Sequence, residues 1–280
     1  MRSHRVPSHP LCRSVFAAIV IPTLAIPAVF IGALTGPPAA SAGSTVRYVA
    51  LGDSYSSGVG AGSYDRSSGK CERSANAYPQ QWAARNAPAS FVSAACSGAT
   101  TSAVLNSQIS VVTSRTTLVS ITIGGNDAGF SRIMKSCVLE SDSACLSAIS
   151  NAENFVTAWL PARLDMTLHA IHSHAPSARI VVLDYPELYD LSKSRTCFGM
   201  SSNKRAAIDH GAARLDSVIS AAAARNGDIF SDVRSHFSGH EICDSNGWLH
   251  SMTWPNDASY HPTASGQELG YEPAFSAAAG

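Results

Sequence analysis

Short apolar segments rich in β-branched residues alternate with longer helix-like segments along this 280-residue chain. The short segments are residues 47–51, 91–94, 118–123, 180–183 and 229–230. Helical periodicity is strongest over residues 76–87, 145–172 and 204–225, and Pro161 predicts a break in the second of these. Alternation of strands and helices is typical of a parallel sheet with helices on both faces. We therefore predict an α/β fold, a three-layer α/β/α sandwich with a central parallel sheet.

The first 42 residues have the features of a secretory signal peptide. Three arginines accompany an apolar run over residues 15–34, and Ala40-Ser41-Ala42 follows as an A-x-A cleavage site. A membrane anchor is the alternative, but Pro22 and Pro27 interrupt the apolar run. We expect cleavage near Ala42, with residues 43–280 forming one secreted catalytic domain that has no stable membrane anchor.

The charge of the chain argues against a nucleic-acid partner. Lys and Arg number 20 and Asp and Glu number 20, so the formal net charge is zero. No basic cluster is interleaved with aromatic residues, as a nucleic-acid groove requires. We expect a monomer that binds no nucleic acid.

Six cysteines follow the signal segment, and Cys12 lies within it. An even number of cysteines in an exported chain predicts disulfide bonds, although six cysteines allow about 15 pairings. Buried free thiols are the alternative. Metal ligation is disfavoured because the chain has no C-x-x-C pair. The simplest pairing joins neighbours in chain order: Cys71 with Cys96, Cys137 with Cys145, and Cys197 with Cys243.

Four sets of small and polar residues stand out, and three of them directly follow predicted strands. They are Gly52-Asp53-Ser54, Ala95-Cys96-Ser97-Gly98-Ala99-Thr100, Gly124-Gly125-Asn126-Asp127 and, near the C-terminus, Ser259-Tyr260-His261-Pro262-Thr263. The carboxyl ends of parallel strands meet at one edge of a sheet, where chemistry collects. A lone Gly-Asp-Ser suits an ordinary turn or a helix N-cap equally well. The four sets together are far more specific.

In this order, the four sets resemble the Ser, Gly, Asn and His blocks of the SGNH or GDSL hydrolases, over residues 48–270. The resemblance is strongest to secreted lipases and esterases of actinobacteria, which similarly carry six cysteines. It implies the flavodoxin-like form of the predicted sandwich. It also implies a serine ester hydrolase that needs no cofactor.

The resemblance implies a role for one residue in each set. Ser54 is expected to attack an acyl carbonyl, and His261 to take the Ser54 proton as general base and return it to the leaving alcohol. The backbone N–H groups of Ser54 and Gly98 and the side-chain amide of Asn126 are expected to form the oxyanion hole.

The group that orients His261 is where the sequence departs from the family's common pattern. Many members place Asp three residues before the histidine, and that position here is Ala258. Asp257 can reach the imidazole only if the loop is rearranged. We favour the main-chain carbonyl of Ala258 or Ser259, because orienting the ring requires an acceptor but not a carboxylate.

Other titratable residues near these sets are expected to be structural. Asp53 and Asp127 are expected to accept backbone N–H bonds that hold their turns. His240 and His250 are weaker candidates for the base, because neither lies in one of the four sets. The three histidines of residues 169–174 lie at a predicted helix C-terminus, where His is favourable, so we expect no metal site.

These residues predict a secreted carboxylic-ester hydrolase of lipase or esterase type that acts through a Ser54 acyl-enzyme. Phospholipid acyl chains or O-acetyl groups on polysaccharides are alternative substrates. An extracellular binding protein on the same fold is a further alternative, suggested by Ala258 in place of an acid. Substrate choice is expected to depend on loops such as residues 58–73 and 194–202, and no long hydrophobic lid is evident.

Overall fold

The computed structural model describes residues 44–193, 197 and 199–280. The predicted signal peptide and its cleavage site lie outside the described residues, as do residues 194–196 and 198 of the predicted 194–202 loop. Residues 43–280 form one compact unit.

Five parallel strands form a central sheet in the order β2-β1-β3-β4-β5. They are β1 (Arg47–Gly52), β2 (Ser90–Ser93), β3 (Leu118–Thr122), β4 (Arg179–Leu183) and β5 (Ile229–Ser231). All residues of β3 are buried, as expected of a strand covered on both faces. In this order the chain reverses direction across the sheet between β1 and β3, which opens a crevice at their carboxyl ends.

Helices cover both faces of the sheet. In the described residues they are α1 (Ser54–Ser57), α2 (Tyr78–Asn86), α3 (Thr101–Ala103), α4 (Phe130–Leu139), α5 (Asp142–Ala158), α6 (Leu160–His174), α7 (Ser202–Asn226), α8 (Arg234–Phe237) and α9 (Glu272–Ala279). Helix α5 contacts α4, α6 and α7, and α6 also contacts α7. Helix α2 contacts α9. In the strand order, the connection from β1 to β2 moves toward one edge of the sheet, whereas the connections from β3 to β4 and from β4 to β5 move toward the other edge. Right-handed crossovers therefore place their helices on opposite faces, and the predicted α/β/α fold is confirmed.

Helix boundaries follow the expected local signals. Helix α7 begins after Ser201, whose side chain accepts the N–H of Lys204, and ends at Gly227, which has φ of +75°. The predicted break in the long helical stretch lies at Trp159, where α5 ends and α6 begins with Pro161 in its first turn. In the described residues, no helix has both the length and the apolar composition needed to cross a membrane.

The six cysteines form three disulfide bonds. Cys71 pairs with Cys96 and thereby ties the loop after α1 to the segment that follows β2. The other two bonds join Cys137 to Cys145, between α4 and α5, and Cys197 to Cys243. The pairing is the one that joins neighbours in chain order.

Candidate active site

Ser54 lies at the carboxyl end of β1, as the first residue of α1. Asp53 caps this helix by accepting the backbone N–H of Tyr55 at 3.0 Å. Gly52 has φ of +119°, and a Cβ on it would lie 2.3 Å from the Thr122 carbonyl oxygen. Only glycine therefore lets β1 turn this close to β3 and present the Ser54 hydroxyl at the edge of the sheet.

His261 approaches Ser54 from a loop 207 residues later in the chain. Its Nε2 lies 2.8 Å from Ser54 Oγ, and its Nδ1 lies 2.9 Å from the Ser259 carbonyl oxygen. Because a carbonyl only accepts, Nδ1 carries the proton and Nε2 is free to accept the serine O–H. The hydroxyl of Tyr55 donates to the Tyr260 carbonyl at 2.7 Å and holds the loop in place.

Asp257 does not support His261 in this structure. It is exposed, in a short turn over Asn256–Ala258, and within the described part of the chain it forms no hydrogen bond with the imidazole. The Ala258 carbonyl accepts the backbone N–H of His261 at 3.2 Å, which leaves Ser259 as the acceptor for the ring. Ser54, His261 and the Ser259 carbonyl thus form one hydrogen-bonded chain.

Burial changes the titration of this histidine. Desolvation lowers the pKa of His261 to about 4, an effect that the hydrogen bond to Ser259 only partly offsets and that the nearby His250 slightly reinforces. Imidazole is therefore neutral across the ordinary pH range, which is the protonation state a general base requires.

The rival histidines lie in other environments. His250 Nε2 contacts the Gly60 carbonyl at 2.9 Å, and its backbone bonds to both Tyr260 and His261. His240 stacks on Trp248 with ring centroids 3.6 Å apart. Neither is hydrogen-bonded to Ser54.

The histidines of residues 169–174 and their neighbours do not form a metal site in the part of the chain that the structure describes. His172 Nε2 contacts Asp228 Oδ1 at 2.8 Å, and His174 Nδ1 contacts the Ala170 carbonyl at 2.9 Å. Within residues 44–193, 197 and 199–280, no group of three His, Cys, Asp or Glu side chains is placed to hold a metal ion.

Two of the three predicted oxyanion donors, Ser54 and Asn126, line one cleft. Asn126 Nδ2 donates to the Ala99 carbonyl at 3.0 Å, which fixes the amide and leaves its second N–H available. Across the described ranges, the backbone N–H groups of Ser54 and Gly98 donate no hydrogen bond. Asn126 lines the cleft beside Ser54, whereas Gly98, with φ of +76°, lines a neighbouring depression.

A buried carboxylate connects the serine turn to the asparagine turn. Asp53 Oδ2 accepts the hydroxyl of Tyr185 at 2.5 Å, and its Oδ1 accepts the hydroxyl of Thr122 at 2.8 Å. The same Tyr185 oxygen accepts the backbone N–H of Gly125 at 3.2 Å. Desolvation raises the pKa of Asp53 to about 6 despite the hydrogen bonds from Tyr185, Thr122 and the Tyr55 backbone. Tyr185 was not among the predicted site residues, although its place two residues after β4, at the carboxyl edge of the sheet, was a usable signal.

Asp127 is hydrogen-bonded to Thr101, the residue that directly follows the set of residues 95–100. Its carboxylate accepts the backbone N–H of Thr101 at 2.9 Å and the Thr101 hydroxyl at 2.6 Å. Asp127 thereby joins the turn after β3 to the start of α3. Asp127 therefore accepts a backbone N–H, as expected, and this contact fixes the turn that carries Asn126.

A deep apolar cleft opens beside Ser54. It occupies about 790 Å³, its open mouth included. Ser54, Asn126 and Tyr185 lie on its walls, and Glu153 is paired with His210 at 2.7 Å. The apolar residues that line it come mainly from α4, α5 and α7: Phe130, Ile133, Met134, Ile149, Ala152, Val156, Ile208, Ala212 and Leu215. A polar reacting group at the serine and a hydrocarbon chain in the cleft fit this distribution.

Comparisons with known proteins agree with this geometry. Residues 50–269 match the GDSL-like Lipase/Acylhydrolase family. Lipase 1 of Streptomyces coelicolor is 51% identical over 251 residues, 88% of this chain and 93% of the relative. The crystal structure of phospholipase A1 from Streptomyces albidoflavus NA297 matches with a TM-score of 0.81 and 52% identity, over 84% of this chain and 99% of that one. The extracellular lipase of Streptomyces rimosus also matches, with a TM-score of 0.81 and 52% identity, over 83% and 99%. This chain is a carboxylic-ester hydrolase and belongs to the GDSL-like lipase/acylhydrolase family.

Proposed function

We propose that this protein is a secreted lipase or esterase that cleaves acyl esters through a Ser54 acyl-enzyme, with His261 as general base. The observation that carries the proposal is the 2.8 Å contact of His261 Nε2 with Ser54 Oγ. The opposite ring nitrogen is fixed by the Ser259 carbonyl. A nucleophile, its base and the group that orients the base therefore form one hydrogen-bonded chain.

In the first half of the reaction, Ser54 Oγ attacks the ester carbonyl as its proton passes to His261 Nε2. The imidazolium that forms keeps its Nδ1 hydrogen bond to the Ser259 carbonyl. The developing oxyanion is stabilised by the free N–H groups of Ser54 and Gly98 and by the second amide N–H of Asn126. Collapse of the tetrahedral intermediate breaks the bond to the alcohol, which leaves with the proton from Nε2.

In the second half, water takes the place of the alcohol. His261 Nε2 accepts a proton from water as the oxygen attacks the acyl carbon of Ser54. The acid leaves and Ser54 recovers its proton from the imidazolium. No cofactor enters either half of the proposed reaction.

The apolar lining of the cleft supports an acyl ester of more than a few carbons as substrate. An acetyl group would contact few of the apolar side chains that line the cleft, whereas each buried CH₂ of a longer chain contributes about 0.8 kcal/mol. An O-acetyl polysaccharide is therefore a weaker candidate. Phospholipid acyl chains are a second candidate, because the Streptomyces albidoflavus relative is a phospholipase A1 at 52% identity.

Secretion is supported by three independent features. The order of charged, apolar and small residues in 1–42 is that of a signal peptide. The catalytic domain proposed for residues 43–280 contains three disulfide bonds, and such bonds persist in oxidising compartments. The Streptomyces rimosus relative is named an extracellular lipase. N-terminal sequencing of the protein from culture medium should begin at Gly43.

The mechanism is tested with purified protein and its Ser54→Ala variant. Wild-type protein should hydrolyse p-nitrophenyl butyrate and be labelled by a fluorophosphonate at Ser54, and the variant should do neither. Full activity of Ser54→Ala would refute the acyl-enzyme. A series of p-nitrophenyl esters from acetate to palmitate, run beside phosphatidylcholine, then ranks the substrate classes, and a preference for acetate would contradict the role given to the cleft.

A further inference from the structure

A short loop beside the active site exposes two large apolar side chains. In the loop of residues 251–256, Met252 is 62% exposed and Trp254 is 92% exposed. Trp254 is the most exposed large apolar side chain among the residues that the structure describes. Pro255, next to it, is exposed as well. Isolated exposed apolar residues are ordinary, but here two stand two positions apart on one loop beside an exposed proline, so this loop offers a local apolar surface.

The loop is held in place at both ends. The backbone N–H of His250 donates to the His261 carbonyl at 2.9 Å, and that of Tyr260 donates to the His250 carbonyl at 3.0 Å. Inside the loop, the Thr253 N–H donates to Ser259 Oγ at 2.9 Å. The apolar side chains therefore project from a braced loop.

The same loop is continuous with the proposed catalytic machinery. Ser259, which receives the Thr253 bond, supplies the carbonyl that accepts His261 Nδ1. A surface that binds Met252 and Trp254 therefore lies close to the Ser54–His261 pair.

The chemistry of the loop favours one kind of partner. Residues 251–256 carry no charged side chain, and Asp257 is the first acid after them. An uncharged or zwitterionic surface therefore meets no unpaired charge there. Trp combines an apolar ring with a polar N–H, which suits the boundary between hydrocarbon and water. A second protein is a poorer match, because a stable interface buries about 800 Å² on each partner and two side chains on one loop supply much less.

We propose that residues 251–256 dock the enzyme onto the surface of aggregated zwitterionic lipid, with Trp254 and Met252 inserted among the acyl chains. The docking is peripheral and reversible, since burial of two side chains gives weak membrane affinity. It requires no lid to open. The inference rests on the proposed function, because it assumes that the substrate ester is presented by a lipid surface.

The test compares Trp254→Ala and Met252→Ala with Met166→Ala as a matched control. Met166 is also 62% exposed but lies on helix α6. Binding is measured by co-sedimentation with dioleoylphosphatidylcholine vesicles, with every variant made in a Ser54→Ala background so that no lipid is consumed. Activity is measured with the same substitutions in protein that retains Ser54, on the same vesicles and on dissolved p-nitrophenyl butyrate.

Trp254→Ala should weaken vesicle binding about tenfold, and Met252→Ala less, since bound fraction follows the apolar area inserted. Hydrolysis of vesicle lipid should fall at least about five times more than hydrolysis of dissolved butyrate, and Met166→Ala should change neither. Equal losses on both substrates would mean that the loop only supports His261, and would overturn the proposal. Unchanged vesicle binding of Trp254→Ala would also overturn the proposal. The same holds if Trp254→Ala abolished self-association of the protein, measured by sedimentation without vesicles, but left vesicle binding intact. If the Ser54 enzyme hydrolysed no ester at all, the proposed function would fail, while the sedimentation arm would still decide the docking.

Discussion

Replacing Asp257 with Asn tests whether His261 is supported by a main-chain carbonyl. The structure gives the imidazole Nδ1 an acceptor 2.9 Å away, the Ser259 carbonyl oxygen. Asp257 is exposed, two residues from that acceptor, and is not hydrogen-bonded to the ring. The substitution therefore removes a charge and leaves the hydrogen bond that orients the ring.

The size of the effect follows from electrostatics alone. Asp257 is exposed and is not among the groups that shift the pKa of His261, and even exposed charges in direct contact interact by only about 0.2–1 kcal/mol. Stabilisation of the imidazolium by Asp257 is then worth a factor of about two in rate. In a Ser-His-Asp triad the same replacement lowers kcat by about 10⁴. The two arrangements thus differ by more than three orders of magnitude in the expected loss.

The assay is kcat/KM for dissolved p-nitrophenyl butyrate, with Tm measured on the same samples. Asp165→Asn is the matched control, because Asp165 is another partly exposed carboxylate, on α6, where it pairs with Arg225. Asp257→Asn should lie within about threefold of wild type at unchanged Tm, as should the control. A loss of a hundredfold or more confined to Asp257→Asn would refute main-chain support and restore the triad.

Three further outcomes follow from the site. Asn126→Ala should lower kcat by about 10²- to 10³-fold, because it removes a proposed oxyanion donor; a loss below tenfold in a folded variant would exclude that role. A Cβ on Gly211 would meet Ile149 at 3.4 Å on the cleft wall, so Gly211→Leu should reduce kcat/KM for laurate far more than for acetate, and the reverse ranking would misplace the acyl chain. Because the base must be neutral and burial lowers the pKa of His261 to about 4, log kcat/KM measured against pH should fall only in acid, and a fall centred above 6.5 would contradict the assigned desolvation.

Much of the fold could be predicted because its signals are local. Strands β3 and β4 are buried by helices on both faces, so their sequences are rich in apolar and β-branched residues and are easily recognised. The ends of α7 follow from a serine cap and a terminal glycine. The helix over Phe130–Leu139 was not predicted as a separate element, since its start is Gly129 in a left-handed conformation rather than a capping side chain.

The site was predictable only as far as its sequence motifs extend. The blocks around Ser54 and His261 indicated two residues 207 positions apart, and the structure brings them to 2.8 Å. The choice of Ser259 over Ala258 as acceptor depends on the loop backbone, including Tyr260 at φ of +63°, which a tyrosine side chain does not signal. The cleft was missed because helical periodicity shows which faces of α4, α5 and α7 are apolar, but not that they leave a space between them.

Main-chain support and the low pKa of His261 are physically connected. A carboxylate beside Nδ1 would carry a full negative charge and raise the pKa of the ring, whereas the Ser259 carbonyl offers only a dipole, which the cost of burial outweighs. The resulting imidazole is a weaker base in the proton transfer, yet it stays neutral further into acid. In the proposed mechanism, stabilisation of charge then depends more on the oxyanion donors than on the histidine. Loss of Asn126 should consequently cost this enzyme far more than loss of Asp257, which forms no hydrogen bond with the imidazole, and equal losses in the two variants would contradict this mechanism.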